Sequence, residues 1–181
     1  VKKYLNIISL SEYQYEKKID PLNIEDLTIY NKSCENMGEI PDKTIQTIIT
    51  SPPYYKKRNY SQASQLGIEK TPDEYLRRLL SVMQECKRVL KDRGSMFVNL
   101  SDRIEDGHYK CLGSLFGMKM EENGWIWTDK LIWIKNNSQY THGKRSSKCD
   151  EDILHFVKQK EYDYTTEWLQ NCGLVPNEFT V

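Results

Sequence analysis

Thr44-Ile45-Gln46-Thr47-Ile48-Ile49-Thr50-Ser51-Pro52-Pro53-Tyr54-Tyr55 is the stretch on which the fold turns. Its first seven residues are rich in β-branched side chains and end apolar on both faces, as in a strand buried between helix layers. Two prolines then stop it, since neither donates a backbone hydrogen bond and both hold φ fixed. The motif therefore lies at the carboxyl end of a buried strand, where open α/β sheets bind ligands. The carbonyls of Ser51 and Pro52 are expected to be rigidly held, free acceptors. Beside them stand one hydroxyl, Ser51, and two rings, Tyr54 and Tyr55. Such a receptor suits a planar group carrying an NH2, whose ring stacks while hydroxyl and carbonyl take the amino protons. Taken alone, Ser51-Pro52-Pro53-Tyr54 reads better as a turn or a polyproline ligand. The residues beyond it reverse that reading.

Downstream, Thr71 to Asp92 carries the clearest helical pattern. Thr71 is an N-cap, Pro72 fits the first helical position and Glu74 completes a capping box. Tyr75, Leu76, Leu79, Val82, Met83, Cys86, Val89 and Leu90 mark one face at i, i+3, i+4 spacing, and Gly94 offers a C-terminal stop. Ser95 to Leu100 reads as a second buried strand, and 110–122 as a second helix ending at Gly124. Leu131 to Ile134 and Ile153 to Val157 read as two more strands. Across a helical crossover the first two strands pair in parallel, while the last two form an antiparallel hairpin. The fold class is a three-layer α/β sheet. Upstream, Leu27 to Tyr30 is a short β-like run and Cys34 to Gly38 a helical turn. Residues 1–25 read as a charged N-terminal arm.

The chain has 181 residues, enough for one domain with a sizeable core. Its 26 Lys+Arg and 26 Asp+Glu cancel, so any basic patch is local. No apolar run approaches the ~18 residues that span a bilayer. Leu5 to Leu10 is too short for a signal-peptide core. The five cysteines lie far apart without a Cys-x-x-Cys pair, which argues against a disulfide scaffold and for reduced, mostly packed thiols. The three histidines show no ligand spacing; no metal site is expected, and His155 reads as a strand residue.

From about Leu27 to Tyr164 the sequence resembles the DNA methyltransferases that methylate exocyclic amino groups, in the permuted order where the catalytic motif precedes the cofactor motif. The anchors begin with Ile48 to Tyr55, Arg58-Asn59-Tyr60 and Glu74-Tyr75-Leu76. Arg88 to Lys91, Val98 to Asp102 and Gly124-Trp125 follow. Ile132 to Asn136, Asp152 to Lys158 and Tyr162 close the series. The resemblance implies a Rossmann-like methyltransferase sheet, with residues 26–164 as the catalytic part and 165–181 as a linker or the start of target recognition. It implies S-adenosyl-L-methionine as cofactor, double-stranded DNA as partner, a base flipped into a pocket and direct attack by the amino nitrogen. Ser51 and a carbonyl of Pro52-Pro53 would accept from the amino group, and Tyr54 would stack on the base. Serine at the first motif position tends to go with cytosine N4, and Asp or Asn there with adenine N6. Tyr55, Lys56, Lys57 and Arg58, then Lys144, Arg145 and Lys148, would face the DNA. A restriction-modification enzyme of a prokaryotic or viral cytoplasm follows from the same resemblance.

Two departures stand out. Where the family carries an acidic Asn-Gly-Asp-like turn, this chain reads Asn31-Lys32-Ser33-Cys34, which leaves Asn31 as the one cofactor contact there. The Asp-x-Phe-x-Gly-x-Gly-like cofactor loop has no counterpart after Tyr164, and the pair Gly113 and Gly117 on a helix is a poor substitute. The chain thus looks like the front part of an enzyme, completed by a further segment or a second chain, with an apolar edge and face exposed. The alternatives are adenine-N6 methylation, a non-catalytic DNA-binding half of a split enzyme, and a proline-tyrosine interaction module.

Overall fold

The computed structural model describes residues 28–30, 32–61, 64–135 and 148–164. The chain divides into two compact units, Val1–Lys32 and Ser33–Val181, and every regular element among the described residues lies in the second. In the first, Thr28, Ile29 and Tyr30 form no strand, against expectation, because a short β-prone run needs a partner edge. The expected arm at 1–25 and the segment 165–181 lie outside the described residues. Residues 34–38 make turns rather than a helix.

The second unit runs β1 (Ile45–Thr50), α1 (Pro72–Val89), β2 (Leu90–Leu100), β3 (Ile104–Glu105), β4 (His108–Tyr109), α2 (Leu112–Glu122), β5 (Ile126–Ile134) and β6 (Asp150–Val157). Four strands form one mixed sheet in the order β1-β2-β6-β5. As expected, β1 and β2 are parallel across α1, and β5 and β6 are antiparallel. The insertion of β6 beside β2, antiparallel with Asn99 opposite Ile153, had no counterpart in the sequence pattern.

Helix α1 starts as its capping box dictates, with the Thr71 side chain accepting from the Glu74 N–H at 3.2 Å. It ends at Val89, short of Asp92, because Leu90 is drawn into pairing with Ile45. Gly94 is consequently a strand residue rather than a helix stop. A Cβ there would come within 2.7 Å of the Gln46 carbonyl, so glycine lets β1 and β2 approach across a register shift.

The core lies between the sheet and the two helices. Leu76 and Leu79 of α1 and Phe116 and Met120 of α2 meet Met96, Leu154 and Phe156 of the sheet, all at 0% exposure. Each such side chain contributes about 1.5–3 kcal/mol over leaving it in water. Gly113 and Gly117 pack rather than bind: a Cβ on the first would meet the Asp152 carboxylate and on the second the Trp127 ring, each within 2.5 Å. Among the described residues the helices form a single layer on one face; Ile49, on the open side, is 56% exposed. Strand β5, at the sheet edge, exposes Leu131, Ile132 and Ile134, so the expected apolar edge is present. His155 is a strand residue, as expected, and no His/Cys/Asp/Glu group fit for a metal occurs among the described residues. The cysteines differ from expectation: Cys86 is buried and its thiol pushed up to about 12, chiefly by desolvation, but Cys34 and Cys111 are exposed.

Candidate active site

Parallel pairing with β2 sets Thr50 beside Val98, and the chain leaves the sheet at Ser51-Pro52-Pro53-Tyr54. Pro52 is buried and Ser51 exposed. The turn is clamped from two sides. Tyr75 of α1 donates its hydroxyl to the Pro53 carbonyl at 3.1 Å, and Lys56 N–H donates to the Gly67 carbonyl at 2.6 Å. Gly67, at φ +95°, lies so close that a Cβ would be 2.8 Å from the Tyr54 carbonyl. Helix α1 thereby fixes the motif as well as filling the core.

Four polar side chains from three strand ends converge here. The Tyr54 hydroxyl lies 2.8 Å from Glu151 Oε2 and also contacts Asn99 Oδ1. Ser51 Oγ is 3.2 Å from the Tyr54 hydroxyl and 3.3 Å from Asn99 Oδ1. Asn99 Nδ2 donates to the Asp152 carbonyl at 3.3 Å, and Lys135 Nζ bonds Glu151 Oε1. Desolvation, reinforced by the Glu151 charge, raises the Tyr54 pKa, so its phenol stays neutral. A carboxylate is the stronger acceptor for that proton, which leaves the Tyr54 oxygen free to accept. The single Ser51 proton has two inward acceptors and is committed to one of them. With that proton committed, the oxygen of the exposed Ser51 keeps lone pairs able to accept.

Asn99, Lys135 and Glu151 went unassigned at the sequence level. Asn99 and Lys135 fall within motif anchors without a role. The one signal for Glu151 was an acid opening a strongly apolar strand run, where it is 6% exposed.

Tyr55 corrects an expectation. It is 1% exposed, its ring packs against Tyr75 at 5.6 Å, and its hydroxyl donates to the Lys70 carbonyl, so it is a core residue and presents no face to DNA. The reason is alternation: with Tyr54 turned to the polar cluster, the next side chain points into the core. Lys56, Lys57 and Arg58 are exposed, as a DNA-facing loop requires. Lys56, however, pairs with Glu105 at 2.6 Å, which raises its pKa and competes with any phosphate. Lys148 reaches Ser101 Oγ at 3.2 Å and the Asp102 carbonyl at 3.1 Å. Asp102 caps α2, accepting from the Gly113 N–H at 2.9 Å. Asn31, Lys144 and Arg145 lie outside the described residues.

The described residues provide no cradle for an adenosyl cofactor of the kind a glycine-rich loop makes. Gly113 and Gly117 are filled against by side chains, and Gly67 by the motif backbone.

A family model described as DNA methylase, of the N6/N4 class, matches residues 45–174. The Type II methyltransferase M.MwoI of Methanothermobacter wolfeii is 34% identical over 131 residues, covering 70% of this chain and 20% of that protein. The PvuII DNA methyltransferase (cytosine-N4-specific) superposes with a TM-score of 0.55 at 18% identity, covering 75% of this chain and 57% of the other. TTHA0409 of Thermus thermophilus, solved with S-adenosyl-L-methionine, gives 0.53 at 23% identity, covering 76% and 57%. The chain thus spans a fifth of the first relative and somewhat over half of each structure.

Proposed function

The chain belongs to the DNA methylase family of the N6/N4 class, and from that premise we propose that it is the catalytic part of a restriction-modification DNA methyltransferase acting on the N4 amino group of a flipped-out cytosine. The observation that carries this reading is the commitment of the Ser51 proton inward, to Tyr54 or Asn99, which leaves Ser51 an acceptor.

S-adenosyl-L-methionine is the proposed methyl donor, and the loop that cradles it comes from a further segment or a second chain. The residues described here act on the base. Ser51 Oγ and a motif carbonyl accept the two amino protons. Because Tyr75 takes the Pro53 carbonyl, the Pro52 carbonyl is the one assigned. Two such bonds pull electron density toward the nitrogen, aim its lone pair away from the ring, and stabilise the positive charge that grows on it. The Tyr54 ring stacks on the base. Lys57, Arg58 and Lys148 meet backbone phosphates, with Lys56 contributing only as Glu105 releases it. Among the described residues no helix is long and apolar enough to cross a membrane, and a prokaryotic or viral cytoplasm is the proposed setting.

Serine at the first motif position supports cytosine over adenine. Digestion of methylated DNA to nucleosides tests this: N4-methylcytosine is expected, whereas N6-methyladenine alone would move the assignment to adenine. DNA binding without transfer, even with a cofactor-binding partner supplied, would make the chain a non-catalytic half.

A further inference from the structure

Sharing Tyr54 with the Ser51 cluster is a cavity of about 180 Å³, also walled by Lys57, Asp102, Arg103 and Lys148. Three of these residues are cationic and one is acidic. The acid is engaged, since Asp102 Oδ1 holds the Gly113 N–H at the start of α2. Lys148 Nζ rests on two neutral oxygens, Ser101 Oγ and the Asp102 carbonyl, and beside the Tyr109 ring at 5.8 Å. Arg103 donates Nη1 to the Lys56 carbonyl at 2.8 Å, while its Nε is buried without a hydrogen-bond partner among the described residues. The Arg103 guanidinium keeps further N–H donors beyond the bond to the Lys56 carbonyl, and an anionic acceptor in the cavity suits them.

We propose that this cavity seats one phosphate group of the nucleotide whose base is presented to Ser51. The proposal rests on reading Ser51 and Tyr54 as the base receptor. Its volume is below the ~300–1,000 Å³ of pockets that enclose a whole ligand, and suits a phosphate with part of its sugar. A planar guanidinium and two ammonium groups are the donor set that holds phosphate oxygens. Tyr54 joins the two subsites: its hydroxyl belongs to the amino-group receptor and its side chain walls the phosphate seat. Base and phosphate of one nucleotide would thus meet either part of one residue. A carboxylate, such as the cofactor's, is the rival anion.

The test is an NMR titration of the full chain, following the Arg103 Nε–Hε resonance, assigned by its loss in Arg103→Lys. Deoxycytidine 5′-monophosphate, deoxycytidine, inorganic phosphate and S-adenosyl-L-methionine are added separately. The monophosphate is expected to shift the Arg103 resonance saturably and to bind on the order of tenfold tighter than the nucleoside. Arg103→Gln should erase that ratio and leave nucleoside affinity unchanged. Should the variant fail to fold, the wild-type titration decides alone. Equal affinities for monophosphate and nucleoside, a response to S-adenosyl-L-methionine only, or no response at all would overturn the seat. Inorganic phosphate shifting Arg103 while deoxycytidine does not bind would keep the seat and sink the base receptor instead.

Discussion

The phenol of Tyr54 lies 2.8 Å from the carboxylate of Glu151, 97 positions along the chain, and so ties the Ser51-Pro52-Pro53-Tyr54 turn to strand β6. Glu151 is 6% exposed and is held on its other oxygen by Lys135. The turn at the end of β1 is therefore braced from the far side of the sheet as well as by Tyr75 from α1. A loop of two prolines and two tyrosines is held from this side because β6 pairs with β2.

Tyr54→Phe keeps the ring and removes the hydroxyl. It should lower stability by about 1–3 kcal/mol, because Glu151 loses a buried donor. Turnover should fall with little change in DNA affinity. Tyr54→Ala should additionally weaken DNA binding by about 1–3 kcal/mol, the worth of one base stack. Urea denaturation and fluorescence anisotropy separate the two effects.

Gly117→Ala forces a methyl into the Trp127 ring, whose atoms lie 2.5–2.9 Å from the new Cβ. A loss of about 1–3 kcal/mol is expected from overpacking. For a chain of this size that lowers the melting temperature by roughly 2–4 °C per kcal/mol. An unchanged melting curve would mean that α2 stands further from β5 than described.

His155 is 1% exposed, its ring stacked on Phe97 and bonded to Ser95 and Thr128. Desolvation lowers its pKa from the ordinary 6.5, and Asp129 only partly offsets this. The unfolded chain then binds a proton that the folded one refuses in the window just below 6.5. Stability should therefore be level above that value and fall as pH drops through the window. His155→Gln should flatten this part of the acid limb in denaturant titrations at stepped pH.

Ile132 and Ile134 are 51% and 67% exposed on the edge strand β5. An apolar edge of this kind invites pairing with other chains. Replacing both by lysine should reduce concentration-dependent association in sedimentation velocity, with the melting temperature nearly unchanged.

Much of the fold was legible because local chemistry and tertiary structure agree. The β-branched run ending in two prolines, the Thr71 capping box and the apolar face of α1 each specify their element. Where they conflict, tertiary pairing wins: Leu90 leaves the helix for the sheet, and Gly94 serves close strand approach. The β3–β4 hairpin carried a local signal, Asp106-Gly107 at φ +50° and +80°, a type I′ pair outside any helix or long strand. Ser51 and Tyr54 could be singled out once the helix and second strand downstream placed the motif at the end of a buried strand. Asn99 follows from the parallel β1–β2 register, which sets Thr50 beside Val98, whereas Glu151 joins the site only because β6 lies beside β2. Tyr55 was misplaced because two adjacent tyrosines look alike in sequence, while one faces the polar cluster and the other the core.

Turnover and DNA affinity of Ser51→Ala, measured side by side in the complete enzyme with S-adenosyl-L-methionine, test the account most directly. Loss of the preorganised acceptor should lower the methylation rate on the order of 10²-fold while DNA binding holds nearly constant. Full turnover by Ser51→Ala would contradict the role given to the hydroxyl, and with it the reading of the site as an amino-group receptor.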